Sequence, residues 1–314
     1  MKIDKLSLVI PTINRHDRLL SLLHNISCQV DFLSEIIIVE QGDETIIESM
    51  LPQAIRSITE ILHVDFKSSS RARYVGANVA KSELVAFFDD DIEVNKDYFS
   101  TVLDYMNTNE CCNGIGGAYM DKNSIAKTKV KTFVARTLGI YSNGLRNKIL
   151  DSGWGDFVRD TASNKVTQAD WLFGCNMVYR KSVLFDIDYP YAMEKWSFLE
   201  DLYIGVSITK KFGCSMVIHP NLTVLHKNDE TSGKPSIETC RMRILYRYVL
   251  WSKITENGNY FSKMKFYKGI LASFILDVRH YPFSSCFKEY WLAMVFIKKN
   301  RIISIEKANE YIFK

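Results

Sequence analysis

The chain has 314 residues, 47% hydrophobic and 24% charged, enough to bury a full core and too balanced for a disordered or collagen-like protein. Its net charge of +4 is uneven: residues 236–314 carry 14 Lys and Arg against 6 Asp and Glu, a net of +8 that leaves −4 for residues 1–235. The seven cysteines include no Cys-x-x-Cys pair, which argues for free thiols in a reducing compartment rather than a disulfide or zinc framework.

From the amino terminus, Leu6 to Ile10 reads as a buried strand closed by Pro11-Thr12. That apolar run is too short, and its flank too acidic, for a secretory signal, so a cytoplasmic protein is expected. Leu19, Leu20, Leu22, Leu23 and Ile26 give Arg15 to Ile26 a helical spacing. Ile36 to Val39 is a second strand, Glu44 to Ile55 a second helix and Ile61 to Val64 a third strand. Ser68-Ser69-Ser70 caps a helix running to about Ala80, and Leu84 to Phe88 is the fourth strand. Strands and helices alternating at this spacing predict an α/β fold with a doubly wound, mainly parallel sheet flanked by helices. Its strand ends share one edge, where such sheets bind ligands. Thr12 to Arg15, Glu40 to Asp43 and Asp89 to Asp91 are thereby brought together.

The most informative stretch is that fourth strand, which runs straight into Asp89-Asp90-Asp91. Three adjacent carboxylates repel one another unless positive charge sits among them. Hard oxygen donors of this kind suit Mg²⁺ or Mn²⁺, with substrate phosphates completing the shell; the plain alternative is a solvated acidic turn.

Further on, Gly114, Gly116 and Gly117 mark Cys111 to Tyr119 as a strand closely approached by other backbone, and 121–168 reads as a polar, loop-rich insertion. Buried structure resumes at Trp171 to Tyr179. Leu199-Glu200-Asp201 opens a helix that Phe212-Gly213 ends, with Gly213 supplying the left-handed residue. Met216 to Ile218 and Leu222 to Leu225 read as strands around His219-Pro220-Asn221.

Strand-Pro-Thr-x-Asn-Arg, a second strand ending in an acidic Gly turn, Arg-x-x-Gly-x-Asn from Arg73, an Asp-x-Asp strand end and the later Glu200-Asp201 together resemble family 2 glycosyltransferases over Leu6 to His226. The resemblance implies a GT-A fold and a nucleotide-diphosphate sugar donor with a divalent metal. It implies a donor site of Thr12, Asn14, Arg15, Gln41, Arg73, Asp89 and Asp90. Asp91, with Asp89, matches the metal-binding acids, and His226 stands where related enzymes place a metal ligand, the alternative being a strand-end histidine hydrogen-bonded to backbone. Asp201 matches the catalytic base, and Trp171, Gly174 and Glu200 the acceptor side. Two departures stand out. The second strand ends Glu40-Gln41-Gly42-Asp43, so an amide replaces the usual acid at the base edge, and Tyr74 replaces the Asn common beside Arg73. A haloacid-dehalogenase-type phosphatase also places Asp-x-Asp after a strand, but it wants Thr or Val where this chain has Glu93. The other alternative is a non-catalytic protein that binds nucleotide sugar or membrane.

These readings give a catalytic domain at 1–235, with a nucleotide-sugar half (1–120) and an acceptor-side half (121–235), followed by a basic, aromatic helical extension at 236–314. The expected activity is inverting transfer of a sugar to a saccharide acceptor, lipid-linked, in bacterial surface polysaccharide (O-antigen or capsule) synthesis. The extension carries no nucleic-acid-binding motif. Its interleaved cations and aromatics instead suit an anionic membrane surface, with Arg243 and Arg247 on one face of a helix and Ile244, Tyr248 and Trp251 on the other. Packing of that helix on the catalytic domain is the alternative, and the expected location is the inner face of the cell membrane.

Overall fold

A computed structural model describes residues 2–43, 45–120, 135–158, 165–226, 237–256, 260–278, 282–300 and 302–314. Two compact units emerge, Met1–Ser124 with Val158–Asn228, and Ile125–Phe157 with Asp229–Lys314. The boundary expected at 235/236 lies outside the described residues, as do 121–134 and 159–164 of the expected insertion.

The first unit begins with β1 (Leu6–Thr12), α1 (His16–Ile26), β2 (Leu33–Glu40), a short α2 (Gln53–Arg56), β3 (Thr59–His63), α3 (Ser69–Val79) and β4 (Leu84–Phe88). Next come β5 (Ile92–Val94), α4 (Tyr98–Thr108), β6 (Gly114–Gly116) and β7 (Tyr119–Met120). The second unit contributes the two-stranded pair β8 (Lys148–Ile149) and β9 (Gly155–Asp156). The first unit then resumes with β10 (Thr167–Ala169), β11 (Asn176–Arg180), α5 (Lys181–Phe185), α6 (Glu200–Phe212), β12 (Met216–Ile218) and β13 (Val224–His226).

Eight strands form one sheet in the order β10-β12-β6-β11-β4-β1-β2-β3. The β4-β1-β2-β3 half is parallel, and β11 runs antiparallel to both β4 and β6. Strands buried on both faces favour apolar residues throughout, which is why β4 reads as an unbroken run and β1 is apolar from Leu6 to Ile10 except for Ser7, whose hydroxyl donates to Glu35 at 2.7 Å. Alternate residues serve opposite layers. Leu8, Ile10, Ile36, Ile38 and Phe88 pack with Leu19 and Leu22 of α1 and Phe99 of α4. Val9, Ile37, Val39 and Phe87 pack with Ala72 and Ala77 of α3 and Ile204 and Ile208 of α6. The sheet is thus covered on both sides, and a separate three-stranded sheet, β5-β13-β7, carries His226 opposite Ile92.

Local signals explain most boundaries. Ser68 caps α3 by accepting the Arg71 N–H at 3.0 Å, and Gly213 ends α6 at φ 71°. The helix expected over Glu44 to Ile55 does not form as one element. Leu51, held extended at ψ 144° before Pro52, separates a 3₁₀ turn at Glu48–Met50 from α2, and Glu44 itself lies outside the described residues. The last strand starts at Val224 rather than Leu222, because Pro220–Leu222 forms a 3₁₀ turn.

The second unit holds α7 (Ile237–Thr255), α8 (Tyr260–Asp277), α9 (Phe283–Lys299) and α10 (Ile305–Ile312). Here the reading of 241–251 as a two-faced surface helix is corrected. The helix packs against α8, α9 and α10, and both faces are occupied. Ile244, Tyr248 and Trp251 are buried. Arg247 is also buried: it lies 4.0 Å over the Trp154 ring and donates to the Gly153 carbonyl at 2.7 Å. Arg243 pairs with Asp277, and Arg241 with Glu289 at 2.7 Å. Among the described residues no helix is long and apolar enough to cross a membrane.

Candidate active site

The carboxyl ends of β1, β2 and β4, the amino end of α3 and the segment leading into α6 converge on a cavity of about 460 Å³. Its wall includes Thr12, Arg15, Gln41, Arg73 and Asp89, all expected from the sequence, together with Lys67, Lys195 and Trp196, which were not. Three positive-φ residues, Lys195, Ser197 and Leu199, shape the approach to α6. Backbone bonds from Lys195 to Lys67 and from Ser69 to Lys195, both 2.7 Å, pin that approach to the start of α3.

The acid triplet is matched by cations. Arg15 reaches Asp90 at 2.7 Å and Asp91 at 3.1 Å, and Arg18, one turn further along α1, reaches Asp91 at 3.1 Å. Thr12 donates to Asp90 at 2.7 Å. Burial drives the Asp90 carboxyl up to a pKa of about 7, against the pull of Arg15 and the Thr12 hydroxyl. The repulsion expected among three neighbouring carboxylates is thus relieved by Arg15 just before α1, Arg18 on α1 and one arginine on α3.

That third arginine, Arg73, is buried between Asp89 at 2.6 Å and Glu200 at 2.5 Å. Burial opposes its charge, but the Glu200 and Asp89 carboxylates outweigh burial and raise its pKa, so it stays cationic. Glu200, expected on the acceptor side, is itself buried and also accepts from the Tyr189 hydroxyl at 3.0 Å. Tyr74 packs on Tyr189 with centroids 5.1 Å apart. This accounts for an aromatic ring beside Arg73, since the ring backs the tyrosine that holds Glu200.

Asp89, Asp91 and His226 offer ligand atoms within 4.8 Å of one another. The Asp91 Oδ1 atom is buried without a hydrogen bond and lies 3.3 Å from His226 Nε2. Ligands about 2.1 Å from an octahedral ion sit about 3 Å apart when adjacent, close to the 3.3 Å between Asp91 and His226, so this group suits a small divalent cation. The β13–β5 register places His226 there, one residue beyond Asp91 on the opposing strand.

Asp201 opens α6. Its Oδ1 accepts the Leu202 N–H at 2.8 Å and its Oδ2 the Gly174 N–H at 3.3 Å. Burial raises its pKa to about 6; the bond from Leu202 N–H lowers it and the Glu200 charge raises it further. A Cβ on Gly174 would stand 3.7 Å from the Asp201 carboxylate, in space that glycine leaves open. Trp171 is buried and packs on Phe173 at 4.9 Å, outside the cavity wall.

The second loop explains its own glycine. Asn14, at φ 50°, accepts the Asp43 N–H at 3.1 Å, and a Cβ on Gly42 would fall 1.9 Å from the Asn14 Oδ1. Only glycine leaves Asn14 in place. Glu40 is buried and takes bonds from Ile46 N–H and both His16 and His63, so it fastens the loop rather than facing a ligand. Gln41 Oε1 accepts the Ser68 N–H at 2.7 Å. A backbone N–H can only donate, which fixes the amide oxygen there and leaves the Gln41 NH₂ as the group available to a ligand.

A covered, mostly parallel sheet with an acid-and-arginine site at its strand ends defines a GT-A-like protein. Residues 7–184 match the model of glycosyl transferase family 2, more than half of the sequence, and the chain belongs to that family. A comparison with curated proteins gives no match. Among solved structures the chain is similar to GalNAc-T7 with UDP, GalNAc and Mn²⁺, at 14% identity and TM-score 0.53, over 90% of this chain and 58% of that one. It is also similar to the mannosyltransferase PcManGT from Pyrobaculum calidifontis in complex with GDP-Man and Mn²⁺, at 12% identity and TM-score 0.50, over 94% and 75%. A third is glucosyl-3-phosphoglycerate synthase from Mycobacterium tuberculosis with Mn²⁺, UDP and glucosyl-3-phosphoglycerate, at 16% identity and TM-score 0.51, over 78% and 80%. At these identities the likeness concerns the fold alone.

Proposed function

We propose that the chain is an inverting, metal-dependent glycosyltransferase that moves a sugar from a nucleotide-diphosphate donor to a hydroxyl of a lipid-linked saccharide. The setting is surface polysaccharide synthesis at the inner face of a bacterial membrane. The observation that carries this reading is the sharing of Asp89 between two features, the cation-fitting group with Asp91 and His226 and the wall of a cavity rich in Arg15, Lys67, Arg73 and Lys195. Four cationic side chains and a divalent ion suit a diphosphate. Bound there, Mg²⁺ or Mn²⁺ supplies Lewis-acid neutralisation of the departing nucleoside diphosphate.

The chain's own residues take complementary parts. Arg73, held by Glu200 and Asp89, presents fixed positive charge to the donor. The Gln41 NH₂ donates to a base carbonyl, which favours uracil, thymine or guanine over adenine and agrees with the UDP and GDP bound to the similar structures. Asp201 takes the acceptor proton; a pKa near 6 leaves it ionised at neutral pH and more basic than an exposed aspartate. Inversion is supported by the state of the neighbouring acid, because Glu200 is engaged by Arg73 and Tyr189 and is not free to act as a nucleophile. The lipid-linked acceptor is supported by the lysine- and aromatic-rich helices of the second unit.

A thermal-shift screen of nucleotide sugars with Mn²⁺ tests the reading. Stabilisation by one or more uridine, thymidine or guanosine diphosphate sugars, lost on adding EDTA, is expected. Stabilisation by none of them would overturn it.

A further inference from the structure

The second unit carries a surface that the transfer chemistry does not use. On α9, Phe283, Phe287 and Trp291 follow one another at four-residue spacing with rings nearly parallel, at centroid distances of 6.1 and 6.4 Å. They form a straight ridge, yet they are 64%, 53% and 62% exposed. Beside them α8 exposes Met264, Tyr267 and Leu271, and an apolar groove of about 290 Å³ lies between the two helices. Contiguous exposed apolar surface of this kind marks a docking face in soluble proteins.

The charges on the same helices indicate the partner. α8 and α9 hold two acids, Asp277 and Glu289, and both are buried: Asp277 pairs with Arg243 and takes the Tyr290 hydroxyl at 2.7 Å, and Glu289 pairs with Arg241. All six lysines, Lys263, Lys265, Lys268, Lys288, Lys298 and Lys299, are exposed. The charged side chains these two helices show to solvent are therefore all positive, with only Lys265 paired among the described residues, to Asp151 at 2.6 Å, and they stand around the aromatic rings. A second copy docked by a twofold axis would bring lysines against lysines. An anionic bilayer meets both requirements at once, with phosphates for the lysines and the headgroup boundary for the rings.

We propose that α8 and α9 form a membrane-docking face that seats Phe283, Phe287 and Trp291 at the headgroup boundary of an anionic bilayer. The assignment moves membrane contact away from the buried α7 and deepens the membrane setting proposed above, on which it rests; its failure is distinguishable from failure of the transfer reading, because vesicle binding is measured without turnover.

The test is flotation of the full chain with vesicles of phosphatidylcholine alone or mixed with phosphatidylglycerol, at low and high salt. Each lysine near an anionic surface adds about fivefold to partitioning, so Lys263→Gln/Lys268→Gln/Lys288→Gln weakens binding by roughly 100-fold. Phe287→Ser/Trp291→Ser weakens it at least about tenfold. Trp291→Phe keeps the binding but reduces quenching by lipids brominated on their acyl chains, since Trp154, Trp171 and Trp251 are buried and the half-exposed Trp196 lies in the cavity wall of the first unit. Three results would overturn the proposal: no flotation with anionic vesicles at low salt, a serine double variant that floats like the parent, or a dimer in sedimentation that the double variant abolishes.

Discussion

Asp201→Asn separates proton transfer from everything else at the site. The asparagine has the same size, but where the carboxylate accepts two N–H groups, from Leu202 at 2.8 Å and Gly174 at 3.3 Å, the amide can accept with one oxygen only. The lost bond costs about 1 to 2 kcal/mol, which a domain of this size survives. Donor affinity should stay within about threefold, while kcat falls by about 10²-fold or more because the amide takes no proton. The pH dependence adds a second constraint. Burial holds the Asp201 pKa near 6, and the base works only when ionised, so activity is present above that pH and lost below it. About ten carboxyls in eleven are ionised at pH 7 and about one in eleven at pH 5, so kcat/KM should drop close to tenfold across that interval. Steady-state kinetics from pH 4.5 to 8 on the parent and the variant read both effects. An acidic limb near 4, or a variant that keeps the parent's kcat, would refute the assignment of Asp201 as the base.

Other perturbations reach other parts of the site. Asp91→Ala should abolish the Mn²⁺ dependence of donor binding in calorimetry while the melting temperature changes little, because the residue lies beyond the end of β4. Gly42→Ala places a methyl group on the Asn14 side chain and should raise the donor KM by about tenfold with kcat nearly unchanged. Arg73→Ala leaves Glu200 buried without its cation, a loss of about 3 to 5 kcal/mol that should lower the melting temperature by roughly 10 °C. Glu200→Gln keeps the Tyr189 contact and should be milder on both stability and donor affinity than Arg73→Ala.

Much of this site was legible because it is built from local signals at strand ends. β1, β2 and β4 are covered on both faces, so each carries a short apolar run, and polar residues at the ends of those runs, Thr12, Arg15, Gln41 and Asp89, line the cavity. The arginine partners of the acid triplet were only half legible. Arg15 sat in the first motif, whereas Arg18 shows itself only as the residue one turn later on α1. Lys67, Lys195 and Trp196 were missed because they come from irregular segments joined by backbone bonds about 130 residues apart in sequence, which no local pattern reports. The surroundings of Glu200, expected on the acceptor side, were hidden for a related reason. A Glu-Asp pair at a helix start looks like two site acids, and only the tertiary packing of Arg73 and Tyr189 turns one of them inward. The tail repeats the lesson. Apolar and cationic residues at helical spacing on α7 suggested a surface helix, but its arginines meet buried Asp277, Glu289 and Trp154, and the exposed aromatic ridge lies on α9.

The central claim is metal-dependent transfer from a nucleotide-diphosphate sugar at the Asp89–Asp91–His226 group. The most direct measurement is release of nucleoside diphosphate from each member of a nucleotide-sugar panel, by the parent chain and by Asp91→Ala, with Mn²⁺ and with EDTA. The account predicts release from at least one uridine, thymidine or guanosine donor with Mn²⁺, and background rates for EDTA and for the variant. Release that survives both chelation and loss of Asp91 would contradict it.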